Sequence, residues 1–273
     1  MKKLCLLTAM FMVFANFTAC SQKEETAKPA SSPETTISSE KSEEFTLTIF
    51  AASSLTEALE EIAELYKKEN PNITLSFNFD SSGKLQTQIE NGAEADLFIS
   101  AAQKQMNTLE EAKLIDISTR EDLLENKVVL VVPESSTKGI TSFEDCLTDK
   151  VSLMSIGNAD VPVGQYTEEI FTYLGGWDTI QSKSSMGSSV KEVLSQVESG
   201  SVDCGIVYST DAVTSTGVKS IATAPENSHK PVSYPIAVLE NAEHSQGAID
   251  FIEFLNSETA SEVFTEIGFG IVD

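Results

Sequence analysis

Histidine is almost missing from this chain: His229 and His244 are the only two in 273 residues, and Trp177 is the only tryptophan. Two isolated histidines cannot build a His-rich metal centre, and no cysteine spacing fits a zinc site. The same shortage argues against serine hydrolysis, because neither histidine sits in a recognisable catalytic motif and the Gly-x-Ser-x-Gly elbow is missing. Basic residues are scarce as well, with 18 Lys and Arg against 42 Asp and Glu, a net charge of −24. Nucleic acid is thereby excluded as a partner, since neutralising phosphates requires clustered Lys and Arg. No apolar run reaches the roughly 20 residues that span a bilayer.

The longest apolar run opens the chain. Lys2 and Lys3 precede it, it continues to Phe17, and Thr18-Ala19-Cys20 closes it. That pattern reads as a secretory signal over residues 1–19. The small pair before Cys20 resembles a bacterial lipoprotein cleavage box, with Phe17 where such boxes usually carry Leu. The expectation is a lipid anchor on Cys20; the plainer alternative is an ordinary signal peptide cut near Ala19. Residues 20–44 are rich in Ser, Thr, Glu, Lys and Pro, bury too little to offset their ordering entropy, and are expected to form a disordered tether. Without Lys2 and Lys3, 16 basic residues face 42 acidic ones, a net charge of −26. Cys146 and Cys204 remain in the folded part, and two readings stay open for them: one disulfide, or separate buried thiols.

Residues 45–273 are long enough for one large or two small domains. Strand character over 45–52 gives way to a helix over 54–69, with Leu55, Leu59, Ile62 and Tyr66 on one face. Asn70-Pro71 stops that helix. Ile73, Leu75, Phe77 and Phe79 alternate with polar residues as a half-buried strand, leading into Ser81-Ser82-Gly83 and a second helix. A short strand over 95–100 precedes a helix over 103–112. Val128 to Val132 is wholly apolar, as a strand buried on both faces would be. Strands over 151–156, 205–208 and 234–239 and helices over 164–174, 189–198, 246–255 and 258–266 complete the pattern. Strands alternating with helices define an α/β protein.

Chemistry concentrates where strands meet helices. Ser54-Leu55-Thr56-Glu57 and Ser189-Val190-Lys191-Glu192 both fit the capping box, so Ser54 and Ser189 are expected to cap their helices. Ser82 opens another helix, and Val163 follows Val161-Pro162 at the start of a fourth. The first N–H groups of a helix lack intrahelical partners and carry the positive end of its dipole. Several such ends converging would form an anion site without Lys or Arg. Periodicity alone stops there, because convergence is a tertiary property.

The segments FAASSLTEALEEIAELYKKENP, SFNFDSSGKLQTQIENGAEADLFISA, VPVGQY, LGGWDTI, GIVYSTDAV, SHKPVSYPIAVL and GFGIV carry a resemblance over nearly all of residues 45–273. In order and separation they resemble the periplasmic molybdate-binding proteins of ABC importers, within the type II periplasmic binding protein superfamily. The resemblance implies a two-lobed α/β fold, each lobe a mixed sheet flanked by helices, with a ligand cleft between them. Lobe 1 would comprise 45–127 and 235–273 and lobe 2 would comprise 128–234, joined by crossing strands near Val128–Val132 and Tyr234–Leu239. It implies an oxyanion held by Ser54 and Ser82 through side chain and backbone, by the backbone N–H groups of Val163 and Val190, and by the Tyr208 hydroxyl. Val163 stands where the family often has alanine, a change of no consequence if only its N–H is used. Molybdenum would enter only as molybdate, with tungstate as a further ligand, no direct protein–metal bond, no cofactor and no catalysis. Sulfate or phosphate in the same fold is the alternative. The implied partners are a membrane permease and, through Cys20, the outer face of the cell membrane or the periplasm, with the protein monomeric.

Asp80 precedes Ser81-Ser82, where small uncharged residues are more usual. Strand alternation puts it with Asn78, opposite Phe77 and Phe79, and it is expected on a solvated face. Trp177 and Tyr166 are expected in the core.

Overall fold

The computed structural model describes residues 44–272. The expected signal peptide, the Cys20 anchor and all but the last tether residue lie outside the described residues. The strands, in chain order, are β1 (Phe45–Ala52), β2 (Ile73–Asp80), β3 (Leu97–Ile99), β4 (Glu121–Asn126), β5 (Val128–Pro133) and β6 (Met154–Gly157), followed by β7 (Ser184–Gly187), β8 (Cys204–Tyr208), β9 (Val218–Thr223), β10 (Val232–Val238) and β11 (Gly270–Ile271). The helices are α1 (Thr56–Glu69), α2 (Ser82–Glu90), α3 (Gln103–Glu111), α4 (Pro162–Tyr173) and α5 (Trp177–Ser182), then α6 (Val190–Glu198), α7 (Ser209–Val213), α8 (Ser245–Leu255) and α9 (Glu258–Ile267).

These strands form two mixed sheets. The first has the order β11-β4-β10-β3-β1-β2 and the second β7-β6-β8-β5-β9. In the first, β1 runs parallel to β2 and β3, while β10 is antiparallel to β3 and β4. Side-chain alternation along β1 divides its residues between two faces. Phe50 packs with Phe98, Leu85 of α2 and Met106 and Leu109 of α3. Leu47, Ile49 and Ala51 join Leu59, Ile62 and Tyr66 of α1 and Phe251 of α8 in the larger core. In the second sheet β5 lies between β8 and β9, which is why Val128 to Val132 are all buried. Gly164 lets α4 close onto β6, because a Cβ there would stand 2.3 Å from the Gly157 carbonyl oxygen.

The chain changes sheet abruptly. β4 ends at Asn126 and β5 starts at Val128, so Lys127 is the only residue between the sheets. The return crossing lies between Thr223 and Val232. Thus β5 belongs wholly to the second sheet and β10 wholly to the first, and the expected change at residue 235 falls inside β10.

Several local expectations are corrected. The strand anticipated at 151 begins at Met154, because the Ser152 and Leu153 N–H groups both donate to Asp203 Oδ2 instead of to a ladder. β4 carries no clear sequence signal: of Glu-Asp-Leu-Leu-Glu-Asn only Leu123 and Leu124 are buried, too few to mark a strand. The polar edge strand β7 escapes for the same reason. Tyr166 is buried, whereas Trp177 is half-buried at the start of α5. Cys146 and Cys204 are buried thiols with their sulfurs 3.9 Å apart, not a disulfide.

Candidate functional site

At the C-terminal end of β1 the chain makes one 3-10 turn, Ser53–Leu55, before α1 begins. That turn shifts the helix start to Thr56, and the capping box expected at Ser54 does not form. The N-cap position is Leu55, without a side-chain cap. Ser54 is instead buried, with its hydroxyl 2.9 Å from the Tyr234 hydroxyl. Glu57 turns to Lys191, whose Nζ lies 2.7 Å from each of its carboxylate oxygens.

At the end of β2, Ser81 is the cap of α2, accepting from the Lys84 N–H at 3.4 Å, and Ser82 is the first helical residue. Ser82 is fully buried, and its Oγ accepts from the Ala101 N–H at 3.0 Å. Pro162 opens α4, a position where its missing N–H costs nothing. Val163 follows it, fully buried in the first turn. Ser189 caps α6 through the Glu192 N–H, as the sequence suggested. The Glu192 carboxylate, however, reaches Ser188 N–H and Oγ instead of completing the box at Ser189.

Ser54, Ser82, Val190 and Tyr208 line one cavity of about 10 Å³, together with Ser53, Ser81, Ala101, Val161 and Pro162. That is the room of about one water molecule. Val163 itself is not part of the lining. Contacts close the site from both sheets: the Gly83 N–H donates to the Asp160 carbonyl at 3.0 Å, and a Cβ on Gly83 would stand 2.3 Å from that oxygen. Glu57 of α1 and Lys191 of α6 form the second bridge.

The hydrogen-bond polarity of this cavity follows from its fixed donors. A backbone N–H can only donate, so Ser82 Oγ is the acceptor toward Ala101 and its own proton is free. Tyr208 is buried, and its hydroxyl has no hydrogen-bond partner among the described residues. The N–H groups of Ser82, Val163 and Val190 occupy first helical turns, where no carbonyl of their own helix can accept them. Burial, the neighbouring phenol of Tyr234, and then Tyr166 and Asp211 push the Tyr208 hydroxyl well above its ordinary pKa, so it stays a donor. The site is thus well supplied with hydrogens, against which stands one carboxylate in the lining, that of Asp80.

The charged groups near the site are paired with opposite charges. Asp80 keeps part of the solvent exposure expected for it, with its side chain 28% exposed, but it also lines the cavity. Its Oδ1 is occupied by the Ser81 N–H at 2.7 Å and Lys84 Nζ at 3.0 Å. Lys191 faces Asp211 Oδ1 at 3.3 Å as well as Glu57. Burial alone would lower the Lys191 pKa, but Asp211 and Glu57 outweigh it and hold the ammonium above its usual range. Asp211 is fully buried and pushed up to about 6 by desolvation, which exceeds the opposing pull of Lys191. Asn126, Tyr234, Ala101 and Gly83 were not singled out in the sequence; nothing in their local pattern distinguishes them from ordinary strand or loop residues.

A two-sheet α/β fold with an enclosed cavity at strand ends, rich in neutral donors, defines a protein that binds a small solute. The family described as bacterial extracellular solute-binding protein matches residues 47–270, and the chain belongs to it. It is a binding protein and not an enzyme. The chain is 42% identical over 232 residues to the molybdate-binding protein ModA of Escherichia coli (strain K12), covering 82% of this chain and 89% of that protein. It is 38% identical over 269 residues to the putative ABC transporter substrate-binding lipoprotein YvgL of Bacillus subtilis (strain 168), covering 98% of each. Among solved structures, the substrate binding domain of a putative molybdenum ABC transporter from Clostridium difficile is 41% identical with a TM-score of 0.65, over 84% of this chain and 99% of that one.

Asp211 yields a prediction whose sign follows from its raised pKa. The buried carboxyl binds a proton up to about pH 6, whereas an unfolded aspartate releases it near 3.9. Between these values the native state holds more protons, so Asp211 costs stability increasingly as pH rises, by about 3 kcal/mol once ionised. Asp211→Asn lacks this term. Its melting point relative to wild type should climb from pH 4 to pH 6 and then level off; a difference that stays flat across this range would refute the assignment.

Proposed function

We propose that this protein captures molybdate, and also tungstate, in the cavity between its two sheets and delivers it to the permease of an ABC importer. The observation that carries this reading is the donor excess: the hydroxyl of Tyr208 and the proton of Ser82 are uncommitted, and three helix N-termini converge beside them. A fully deprotonated tetrahedral oxyanion accepts at every oxygen and has no hydrogen to give. Hydrogen bonds to a charged acceptor are roughly twice as strong as neutral ones, and neutral donors avoid burying a counter-ion. The Escherichia coli relative named for molybdate, and the Clostridium difficile domain named for molybdenum, support that choice of anion over sulfate or phosphate.

In this reading Ser54, Ser82, Val163, Val190 and Tyr208 are the ligand-binding residues. Lobe 1 contains the first sheet, lobe 2 the second, and they part about Lys127 and the return crossing. A cavity of about 10 Å³ cannot admit an oxyanion unless the lobes separate. Ligand that touches both lobes then favours the closed form, in which the Gly83–Asp160 and Glu57–Lys191 contacts are made. The protein acts as a monomer anchored by lipid on Cys20, with residues 20–44 as tether. Mass spectrometry of the mature N-terminus should find a modified Cys20; any other N-terminal residue would refute the anchor.

The ligand is tested by thermal melts of the folded region with molybdate, tungstate, sulfate and phosphate. At about 100 times its dissociation constant, ligand adds roughly 2.7 kcal/mol. At about 2–4 °C per kcal/mol for a chain of this size, the midpoint should rise by roughly 5–10 °C. Molybdate and tungstate should produce that rise and the other two little; a larger rise with sulfate or phosphate would overturn the ligand assignment.

Tyr208→Phe separates binding from folding by opposite signs. It removes a buried hydroxyl without a partner, whose desolvation costs about 1–3 kcal/mol, so the unliganded protein should melt higher. It also removes a donor to a charged ligand, so calorimetric titration should find molybdate bound about tenfold to a hundredfold more weakly. Unchanged affinity would remove Tyr208 from the site.

A further inference from the structure

Asn126 is the last residue of β4, immediately before the chain crosses to the second sheet. Its amide has only one admissible orientation. The Lys127 N–H, which cannot accept, lies 2.8 Å from Oδ1, and the Ser209 hydroxyl donates to the same oxygen at 2.8 Å. Nδ2 therefore faces the Thr210 hydroxyl at 2.9 Å and the Tyr234 hydroxyl at 3.3 Å, and donates to both.

That orientation determines the next proton in the chain. Tyr234 is fully buried, accepts from Asn126, and has one hydrogen to give. Ser54 Oγ, at 2.9 Å, is its remaining hydrogen-bond partner. If Ser54 donated instead, the Tyr234 hydrogen would be buried with nowhere to go, the costly outcome for an interior donor. Tyr234 therefore donates and Ser54 accepts, which leaves the Ser54 proton for the cavity. Neither Asn126 nor Tyr234 lines that cavity.

We propose that Asn126 and Tyr234 are positioning residues that set the direction of the Ser54 hydroxyl, turning its proton toward the ligand, so that at this position the site favours an anion oxygen that carries no proton over one that does. The inference rests on the anion-binding reading above. Burial holds the Tyr234 phenol well above its ordinary pKa, with Asp211 adding to the effect, so this link remains protonated.

The test reverses the relay without emptying it. Asn126→Asp keeps the acceptor for Lys127 and Ser209 but cannot donate. Tyr234 would then donate toward the introduced carboxylate, Ser54 would donate to Tyr234, and a Ser54 lone pair would face the cavity. Titration with molybdate and with phosphate, at a pH where both are dianions, reads the outcome as a ratio of affinities. The added negative charge weakens both dianions alike and drops out of that ratio. Molybdate should lose about tenfold to a hundredfold, whereas hydrogen phosphate can offer its own proton to Ser54, so the molybdate-to-phosphate ratio should fall by about tenfold or more.

Tyr234→Phe breaks the relay and releases Ser54 to rotate, so alone it should lower the ratio less than Asn126→Asp. In that background Asn126→Asp should change the ratio no further, because the link is gone. If Asn126→Asp fails to fold, Tyr234→Phe still carries the test: an unchanged ratio would overturn the relay. So would a full drop from Asn126→Asp that persists in the Tyr234→Phe background. Wild type that binds molybdate beside an Asn126→Asp variant with the wild-type ratio would sink the relay alone. Wild type that binds no molybdate would sink the functional reading and the relay with it.

Discussion

Backbone amides can give a hydrogen and never take one, and that constraint orders the Ser54 and Ser82 hydroxyls of the cavity. Two of them, at Ala101 and Lys127, are enough. The first makes Ser82 an acceptor toward the protein and a donor toward the cavity. The second orients Asn126 and, through it, Tyr234 and Ser54. Hydroxyl groups are otherwise ambiguous, since each can donate or accept. Rigid main-chain donors behind them remove the ambiguity and turn both serine protons toward the cavity, whose one lining carboxylate, Asp80, is paired with Lys84.

The fold supplies those donors as a matter of topology. In α/β sheets, ligands bind outside the carboxyl ends of strands, where helices begin. Here β1 and β2 deliver Ser54 and Ser82 from one sheet, and β8 delivers Tyr208 from the other. A single residue, Lys127, separates β4 from β5, so the two sheets meet closely enough for both sets of strand ends to share one cavity. With 42 acidic residues against 18 basic ones, attraction of an anion cannot come from overall charge. The lysine beside the site is more than offset by Glu57 and Asp211, so in the reading proposed above the attraction would reside in oriented dipoles.

This arrangement has a cost within the unliganded protein. The Tyr208 hydroxyl is buried without a partner among the described residues, and the fully buried Asp211 carboxyl has Lys191 as its ion-pair partner at 3.3 Å. Unsatisfied buried polar groups are rare in native proteins and call for a specific reason. An anion that accepts from Tyr208, as proposed above, would be such a reason. Asp211 has a different one: it holds Lys191 in position to reach Glu57 across the cleft.

The alternation in β2, the apolar run of β5, the stop at Asn70-Pro71 and the Ser189 cap were all legible in the chain, because each depends on neighbours a few residues away. So were the α/β class and the strand–helix junctions at which Ser54, Ser82 and Val190 sit. Val163 stood at such a helix start as well, resemblance added Tyr208, and four of the five came to line one cavity. Local pattern failed where a distant group intervened. The Ser54 capping box gave way to a 3-10 turn and to Tyr234, 180 residues along the chain. Met154 replaced Val151 as a strand start because Asp203 took the intervening N–H groups. Asp80 lines the cavity as well as pairing with Lys84, a closeness to the second sheet that strand alternation alone could not foresee. Sequence determined which residues could donate, since that is a property of the side chain and of helix ends. Which way each hydroxyl points was decided only by tertiary structure, because direction depends on the fixed donor that folding brings to its back.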